Sequence, residues 1–305
     1  EDGKLKLAKR PPKMQMNFSI DIFFHSLAKA QKEMAIGIIL SGTGSDGSRG
    51  GKSIKEVGGT IFVQNPDSGK FDGMPRSAIS QGLGDYILSP AEMPTELIQF
   101  VNNPHFARTM MTGTELGKDI ESMDKVLKIV KNHTGYDFFS YKKPTLLRRT
   151  AKRINITKCD DIESYIEYLY QTTEEKFILV EEFLIGVTKF FRDQDAYKVL
   201  ENQVIPDIVD AKHSKKESIK IWIVACSTGE EAYSLAILFE EYIQRKKITI
   251  NYKIFATDID GKAIDIAARG VYSSNISIDV STPRLSKYFT RKGDTFQIRP
   301  QIRKN

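Results

Sequence analysis

The chain has 305 residues, 40% hydrophobic and 28% charged, a balance that fits a soluble globular protein of about two domains. No apolar run approaches the roughly 18–20 residues that cross a bilayer and no secretory leader opens the sequence, so neither membrane insertion nor export is expected. The net charge of +6 is modest, so its distribution matters more than its sum.

Cys159 and Cys226 are too few for a disulfide framework and point to reduced thiols in the cytoplasm. His25, His105, His133 and His213 lack metal-ligand spacing among themselves or with the cysteines, so no metal is expected. Residues 1–17 are polar, basic and broken by Pro11-Pro12, and read as a strand remnant plus loop. Residues 19–34 place Ile22, Phe23, Leu27 and Ala30 at helical spacing behind Ser19 and Asp21, which supply capping chemistry. His25 lies within that pattern and reads as a surface or half-buried helical residue.

Ala35–Leu40 reads as a buried strand feeding the loop Ser41-Gly-Thr-Gly-Ser-Asp-Gly47. A helix over 48–57, a strand over Thr60–Val63, a helix starting near Met74-Pro-Arg-Ser77 and a strand over Tyr86–Leu88 continue an α/β alternation. Leu40–Ser48 together with Phe71-Asp-Gly-Met-Pro-Arg76 resembles the end of the receptor-glutamate methylesterase domain, the CheB type. That resemblance implies that Asp46 is the acid of a Ser-His-Asp triad, where a carboxylate fixes the tautomer of a histidine. The alternative is an Asp that hydrogen-bonds its own turn, which is common beside glycine. The family's serine and histidine lie upstream of anything in this chain, and no G-x-S-x-G elbow occurs, so ester hydrolysis by these residues alone is not expected.

Residues 90–121 hold a short helix and then Asn102-Asn-Pro104 and an aperiodic Thr/Gly/Met stretch, the expected linker. A helix over 122–133 follows and ends near Gly135, a residue suited to a left-handed close. After Pro144, Leu146, Leu147, Ala151 and Ile154 form one helix face, and Arg148, Arg149, Lys152 and Arg153 form another. Read from the residues, that basic face is solvated, or meets nucleic acid, anionic lipid or an acidic protein helix. No aromatic residues interleave with it, which weakens base stacking. Helices over 160–171 and 174–186 complete a helical module.

Ile221, Ile223 and Ala225, flanked by Trp222 and Val224, are apolar on both faces, as in a buried parallel strand, and run into Cys226-Ser-Thr-Gly-Glu-Glu231 and a helix with Ala232, Leu235, Ala236, Phe239, Tyr242 and Ile243 inward. The turn has one glycine, not a G-x-G-x-x-G pattern, and Glu230 and Glu231 occupy the positive helix start. A pyrophosphate would be repelled there, whereas a cationic nucleoside would not. The next strand, Tyr252–Thr257, ends in Asp258, placed to accept ribose hydroxyls. S-adenosylmethionine meets both demands; a βαβ unit with capping acids and no ligand is the alternative.

Ala225-Cys-Ser-Thr-Gly-Glu-Glu-Ala-Tyr-Ser234 with Ala256-Thr-Asp-Ile-Asp260, flanked by Gly270-Val-Tyr272 and Tyr288-Phe289, closely resembles the chemotaxis-receptor glutamate methyltransferases, the CheR type. The resemblance implies S-adenosylmethionine bound through Thr188, Arg192, Gly229, Glu230 and Asp258. It further implies that Arg192 orients the substrate carboxylate. It gives Arg148, Arg149, Lys152 and Arg153 a docking role toward methyl-accepting chemotaxis receptors or related signalling proteins, ahead of nucleic acid. Phe190 and Phe191 are read as core. The expected fold is α/β: a partial doubly wound methylesterase domain (1–104), a linker (105–121), a small all-helical receptor-recognition module (122–205) and the first half of a Rossmann-like methyltransferase sheet (206–305). The implied activity is protein-glutamate O-methylation joined to demethylation. Because the methylesterase family begins upstream of this chain and the methyltransferase family continues beyond Phe296-Gln-Ile-Arg-Pro300, the chain alone is expected to fold marginally, bind cofactor weakly and show no turnover. A signalling scaffold and a methyltransferase of another substrate remain as alternatives.

Overall fold

The computed structural model describes residue 6 and residues 18–102, 116–184 (backbone only over 116–120), 186 and 188–304. The strand remnant expected within 1–17 and the linker residues 105–115 fall outside this set, apart from Lys6. The chain forms two compact units, Glu1–Ile185 and Gly186–Asn305.

The first unit opens with α1 (Ser19–Gln31), β1 (Ile36–Ile39), α2 (Ser48–Glu56), β2 (Thr60–Gln64), α3 (Gly73–Ser80), β3 (Tyr86–Leu88) and α4 (Met93–Asn102). The strands make a parallel sheet in the order β1-β2-β3, with Ile36 opposite Thr60 and Phe62 opposite Tyr86. β2 is the central strand and is buried at all five positions, which is why Ile61, Phe62 and Val63 follow one another without polar alternation. Phe24 and Ala28 of α1, Ile54 of α2 and Ala78 of α3 close over Ile39, Ile61 and Val63 to form its core.

The helical module follows: α5 (Leu116–Thr134), α6 (Lys143–Thr157), α7 (Ile162–Gln171) and α8 (Thr173–Phe183). α5 begins inside the stretch expected as linker: Leu116 and Ile120 already stand at helical spacing ahead of Met123 and Leu127, with Gly117 and the aperiodic stretch before it masking the start. Gly135 closes it with φ 78°. Asp161 caps α7 reciprocally with Ser164, at 2.8 Å to its amide and 3.0 Å from the Ser164 hydroxyl. Met123, Val126, Leu127, Leu146, Tyr165, Leu169 and Leu179 fill the module's interior.

The second unit starts at Gly186, not at the expected 206. Its first helix, α9 (Gln194–Val199), passes through a π-helical turn at Leu200–Val204 into α10 (Ile205–Ser214), whose Ile205 and Val209 join the core of this unit. Then come β4 (Ile219–Val224), α11 (Glu230–Lys246), β5 (Tyr252–Thr257), α12 (Gly261–Arg269), β6 (Val271–Ser273), α13 (Thr282–Tyr288), β7 (Phe289–Lys292), β8 (Thr295–Ile298) and α14 (Pro300–Arg303). β4 and β5 pair in parallel, while β6, β8 and β7 form an antiparallel sheet in that order. One face of the β4–β5 pair packs on α11. The other is open, with Trp222 70%, Val224 64% and Phe255 50% exposed, so the expected burial on both faces is not observed.

Candidate cofactor site

The turn between β4 and α11 is held in a costly backbone shape. Ala225 (φ 58°), Ser227 (φ 49°) and Gly229 (φ 91°) alternate through the left-handed region, which side chains other than glycine enter reluctantly. Gly229 is the position with no alternative. A Cβ there would lie 2.8 Å from the Ala267 Cβ and 3.2 Å from the Tyr272 hydroxyl. The shape is over-determined by its surroundings, as strained turns must be. The Cys226 amide donates to the Thr257 carbonyl (3.0 Å), and Tyr272 donates to the Thr228 carbonyl (2.8 Å). Tyr233 fixes the facing helix through the Ala267 carbonyl (2.7 Å).

Two carboxylates border this turn. Glu230, buried at the first position of α11, accepts from the Thr228 hydroxyl at 2.6 Å. Asp258, just past the end of β5, accepts from the Ser227 amide (2.7 Å) and the Asp260 amide (2.8 Å), one on each oxygen. Each carboxylate oxygen carries a second lone pair, so Asp258 is oriented by the backbone and still able to accept hydroxyls. Asp260 in turn caps α12 through the Lys262 amide (2.9 Å) and the Ala263 amide (3.2 Å). The buried Cys226 thiol is pushed above its ordinary range, first by burial and then by Asp258.

The segment 188–193 lies against the start of α11. The Phe191 amide donates to the Ser234 hydroxyl (3.0 Å), and that hydroxyl donates back to the Glu230 carbonyl (2.6 Å). Phe190 is core, edge-on to Tyr272 and Phe289, as the sequence suggested. The Arg284 guanidinium stacks over Phe191 at 4.4 Å while holding Glu241 with two hydrogen bonds of 3.0 and 2.7 Å. Arg192, next in the chain, is exposed, and Thr188 is half-buried. Ser234 and Tyr272 were not assigned to the site from sequence. A serine at a buried position of an apolar helix face is the signal that marks Ser234.

The remaining expected site residues are used elsewhere. Asp46 caps α1: its carboxylate accepts the amides of Ile20 (3.1 Å), Asp21 (2.9 Å) and its own neighbour Gly47 (2.9 Å). This is the turn-bonding alternative, extended to a helix start. His25 is exposed and pairs with the Ser53 hydroxyl at 3.2 Å.

The basic face of α6 is largely inside, so the expected solvent-facing docking surface is not what these residues form. Arg149 donates to the carbonyls of Glu182 and Phe183, Lys152 is ion-paired with Asp85 (2.9 Å) and Glu182 (3.0 Å), and Arg153 makes a two-pronged contact with Glu175 (2.8 and 2.7 Å). The reason is that α8 presents carboxylates and free carbonyls to α6, which offset the cost of burying the cations.

A parallel strand, a strained acid-bearing turn, a helix, and a second strand ending in a backbone-oriented carboxylate make an α/β arrangement that disfavours phosphate and suits a cation. Comparison with known proteins agrees. Residues 186–305 match the family model "CheR methyltransferase, SAM binding domain", residues 121–184 match "CheR methyltransferase, all-alpha domain", and residues 2–97 match "CheB methylesterase". The chain therefore carries CheB-type methylesterase and CheR-type methyltransferase domains in order, and the cofactor of the second is S-adenosylmethionine.

A chemotaxis protein methyltransferase of Listeria innocua is 33% identical over 58% of this chain and 65% of its own length. One from Borreliella burgdorferi is 26% identical over 60% of this chain and 66% of its own. An "Uncharacterized 104.1 kDa protein in hypE 3'region" of Rhodobacter capsulatus is 33% identical over 99% of this chain, which spans 34% of that protein. The Thermotoga maritima CheB methylesterase catalytic domain shares 34% identity over 27% of this chain and 43% of that one, with a TM-score of 0.26. The chain thus spans less than two thirds of the length of these relatives, 34% of the Rhodobacter protein and 65% of the Listeria one. Among the described residues no helix is long and apolar enough to cross a membrane.

Proposed function

We propose that this chain is part of a chemotaxis adaptation enzyme that methylates receptor glutamates with S-adenosylmethionine and is joined to a methylesterase-type domain. The observation that carries the reading is the turn 225–229. Its backbone is bent around a buried Glu230, and its amide at Ser227 orients Asp258, so the site has negative charge and hydroxyl acceptors where a phosphate site would have donors. When bound, S-adenosylmethionine supplies a methyl group made electrophilic by the sulfonium.

The residues of the chain supply position and environment. The open lone pairs of Asp258 accept the ribose hydroxyls, and the carboxylates of Glu230 and Glu231 favour the cationic end. Gly229 lets the turn pack against Ala267 and Tyr272, which holds these acceptors in place. The accepting glutamate is already an anion at neutral pH, so no general base is needed. What the enzyme contributes is alignment and exclusion of water. Arg192 is the residue proposed to orient the substrate carboxylate, with Thr188 beside it. The domain boundaries at 104, 121 and 205 belong to the same reading, with 186–205 reassigned to the second unit. A role for Asp46 in ester hydrolysis rests on the family resemblance alone.

Calorimetric titration of S-adenosylmethionine into the protein tests the site: binding is expected, and it is lost in Asp258→Lys. With the full-length protein, transfer of labelled methyl to receptor fragments is expected to give an alkali-labile product that releases methanol. A stable label on nucleic acid, or no cofactor binding at all, would point to the other two readings. The one sequence feature that favoured nucleic acid was the basic helix, and burial of Arg149 and Lys152 removes it.

A further inference from the structure

The α/β segment and the helical module meet along α6, and four buried charges lie at the junction. Lys152 of α6 reaches Asp85, just before β3, at 2.9 Å and Glu182 of α8 at 3.0 Å. From the other side, Lys55 of α2 reaches the same two carboxylates at 2.7 and 3.7 Å. All four side chains are between 3% and 8% exposed, so this is an interior cluster and not a surface ion pair.

Each side contributes one ammonium and one carboxylate, and each ammonium bridges to the carboxylate of the other side. Each side is neutral by itself, but only when the two are together and in register does each ammonium face two carboxylates. Burial by itself would drive the Lys152 ammonium toward its neutral form, but Asp85 and Glu182 outweigh it and hold the charge. The second oxygen of Asp85 is fixed by the Ile61 amide of β2 (2.8 Å), which ties the cluster into the sheet.

The surrounding packing is made to the same fit. The Arg148 side chain lies across Gly58, where an added Cβ would come within 2.5 Å of the guanidinium Nε, and Gly58 itself has φ 87°. Only glycine allows α6 to approach there. At the rim, Lys158 pairs with Glu96 (3.0 Å) and Gln99 (3.3 Å) of α4.

We infer that Lys152 and Arg148 of α6 form an intrachain docking surface whose partner is the methylesterase-type segment, so that the segment and the helical module act as one body. Lys152 is taken up by Asp85 and Glu182, and Arg149 and Arg153 are held by α8, so the face is not an open site for an acidic partner. This goes beyond the methyl-transfer reading and stands or falls separately from it.

The test is a specific protease site placed between residues 102 and 116 of the full chain, cut after folding. The two pieces are expected to stay together through gel filtration. Lys152→Met leaves the two carboxylates against one ammonium in the interior and is expected to weaken association of the cut pieces by about 100-fold or more. Removing one charge of each sign, Lys152→Met with Glu182→Leu, is expected to recover most of that loss. The check that leaves the interior untouched uses the rim: Lys158→Glu weakens association several-fold, and the swap Glu96→Lys with Lys158→Glu restores it. Separation of the wild-type pieces on cutting would overturn the inference, as would a swap that associates no better than the single reversal.

Discussion

At the residue scale, two positions carry sharp consequences. Gly229 is the pivot of the cofactor turn, and Gly229→Ala combines a left-handed backbone with a contact at 2.8 Å to Ala267. A loss of about 2 kcal/mol or more is expected, read as a lower Tm, together with weakened S-adenosylmethionine binding by calorimetry. Asp21 is buried beside Asp46, with one oxygen held by the Gly50 amide at 2.7 Å and the other without a partner. Burial, reinforced by Asp46, raises its pKa to about 6. The folded state therefore prefers the protonated carboxyl. Its contribution is fully present below about pH 4 and is lost as pH rises through about 6. Asp21→Asn should flatten stability across that window and gain up to about 3 kcal/mol at pH 7, measured by urea unfolding at several pH values. The glycine was legible in sequence because a single glycine before two glutamates has few other uses. Asp21 was read only as a helix-start residue, since what buries it is the start of α2, more than twenty residues away.

At the element scale, α6, α7 and α8 are joined by Glu175, which is 2% exposed and holds Arg153 while the Tyr165 hydroxyl donates to it at 2.7 Å. Glu175→Ala strands a buried guanidinium and is expected to cost about 3–5 kcal/mol, seen in chemical unfolding of the module. Glu175→Gln keeps the shape and should cost less. In the second unit, Tyr272→Phe removes the bond that clamps the Thr228 carbonyl. A cost of about 1–2 kcal/mol is expected, and faster amide exchange confined to the turn is the measurement that checks it. The helical pattern of α6 was visible from Leu146 and Ile154, but its basic residues were read as facing out. Spacing tells which residues share a face, not which carboxylates another helix will bring to it.

At the scale of the whole molecule, binding and stability are linked. S-adenosylmethionine at about 100 times its dissociation constant should stabilise the second unit by about 2.7 kcal/mol. Protection from amide exchange should centre on the 225–229 turn and on Asp258 at the end of β5. No protection there at saturating ligand would remove the proposed site. The open face of Trp222, Val224 and Phe255 shows how far strand pattern can be read. An apolar row on both faces signals that a strand is built to be covered, and the pattern says nothing of what covers it.

The sequence by itself determined the local items: the alternation of strands and helices, the glycine turn, the acids that flank it and the family these residues resemble. Each depends on neighbours a few positions apart, where backbone geometry and side-chain chemistry are set by covalent spacing. Tertiary structure alone decided that Asp46 caps α1, that the unit boundary falls at Gly186, and that Lys152 and Arg149 are interior. Those outcomes depend on charges and carbonyls brought together from distant parts of the chain, and burial makes such pairings strong enough to override what each segment would do alone.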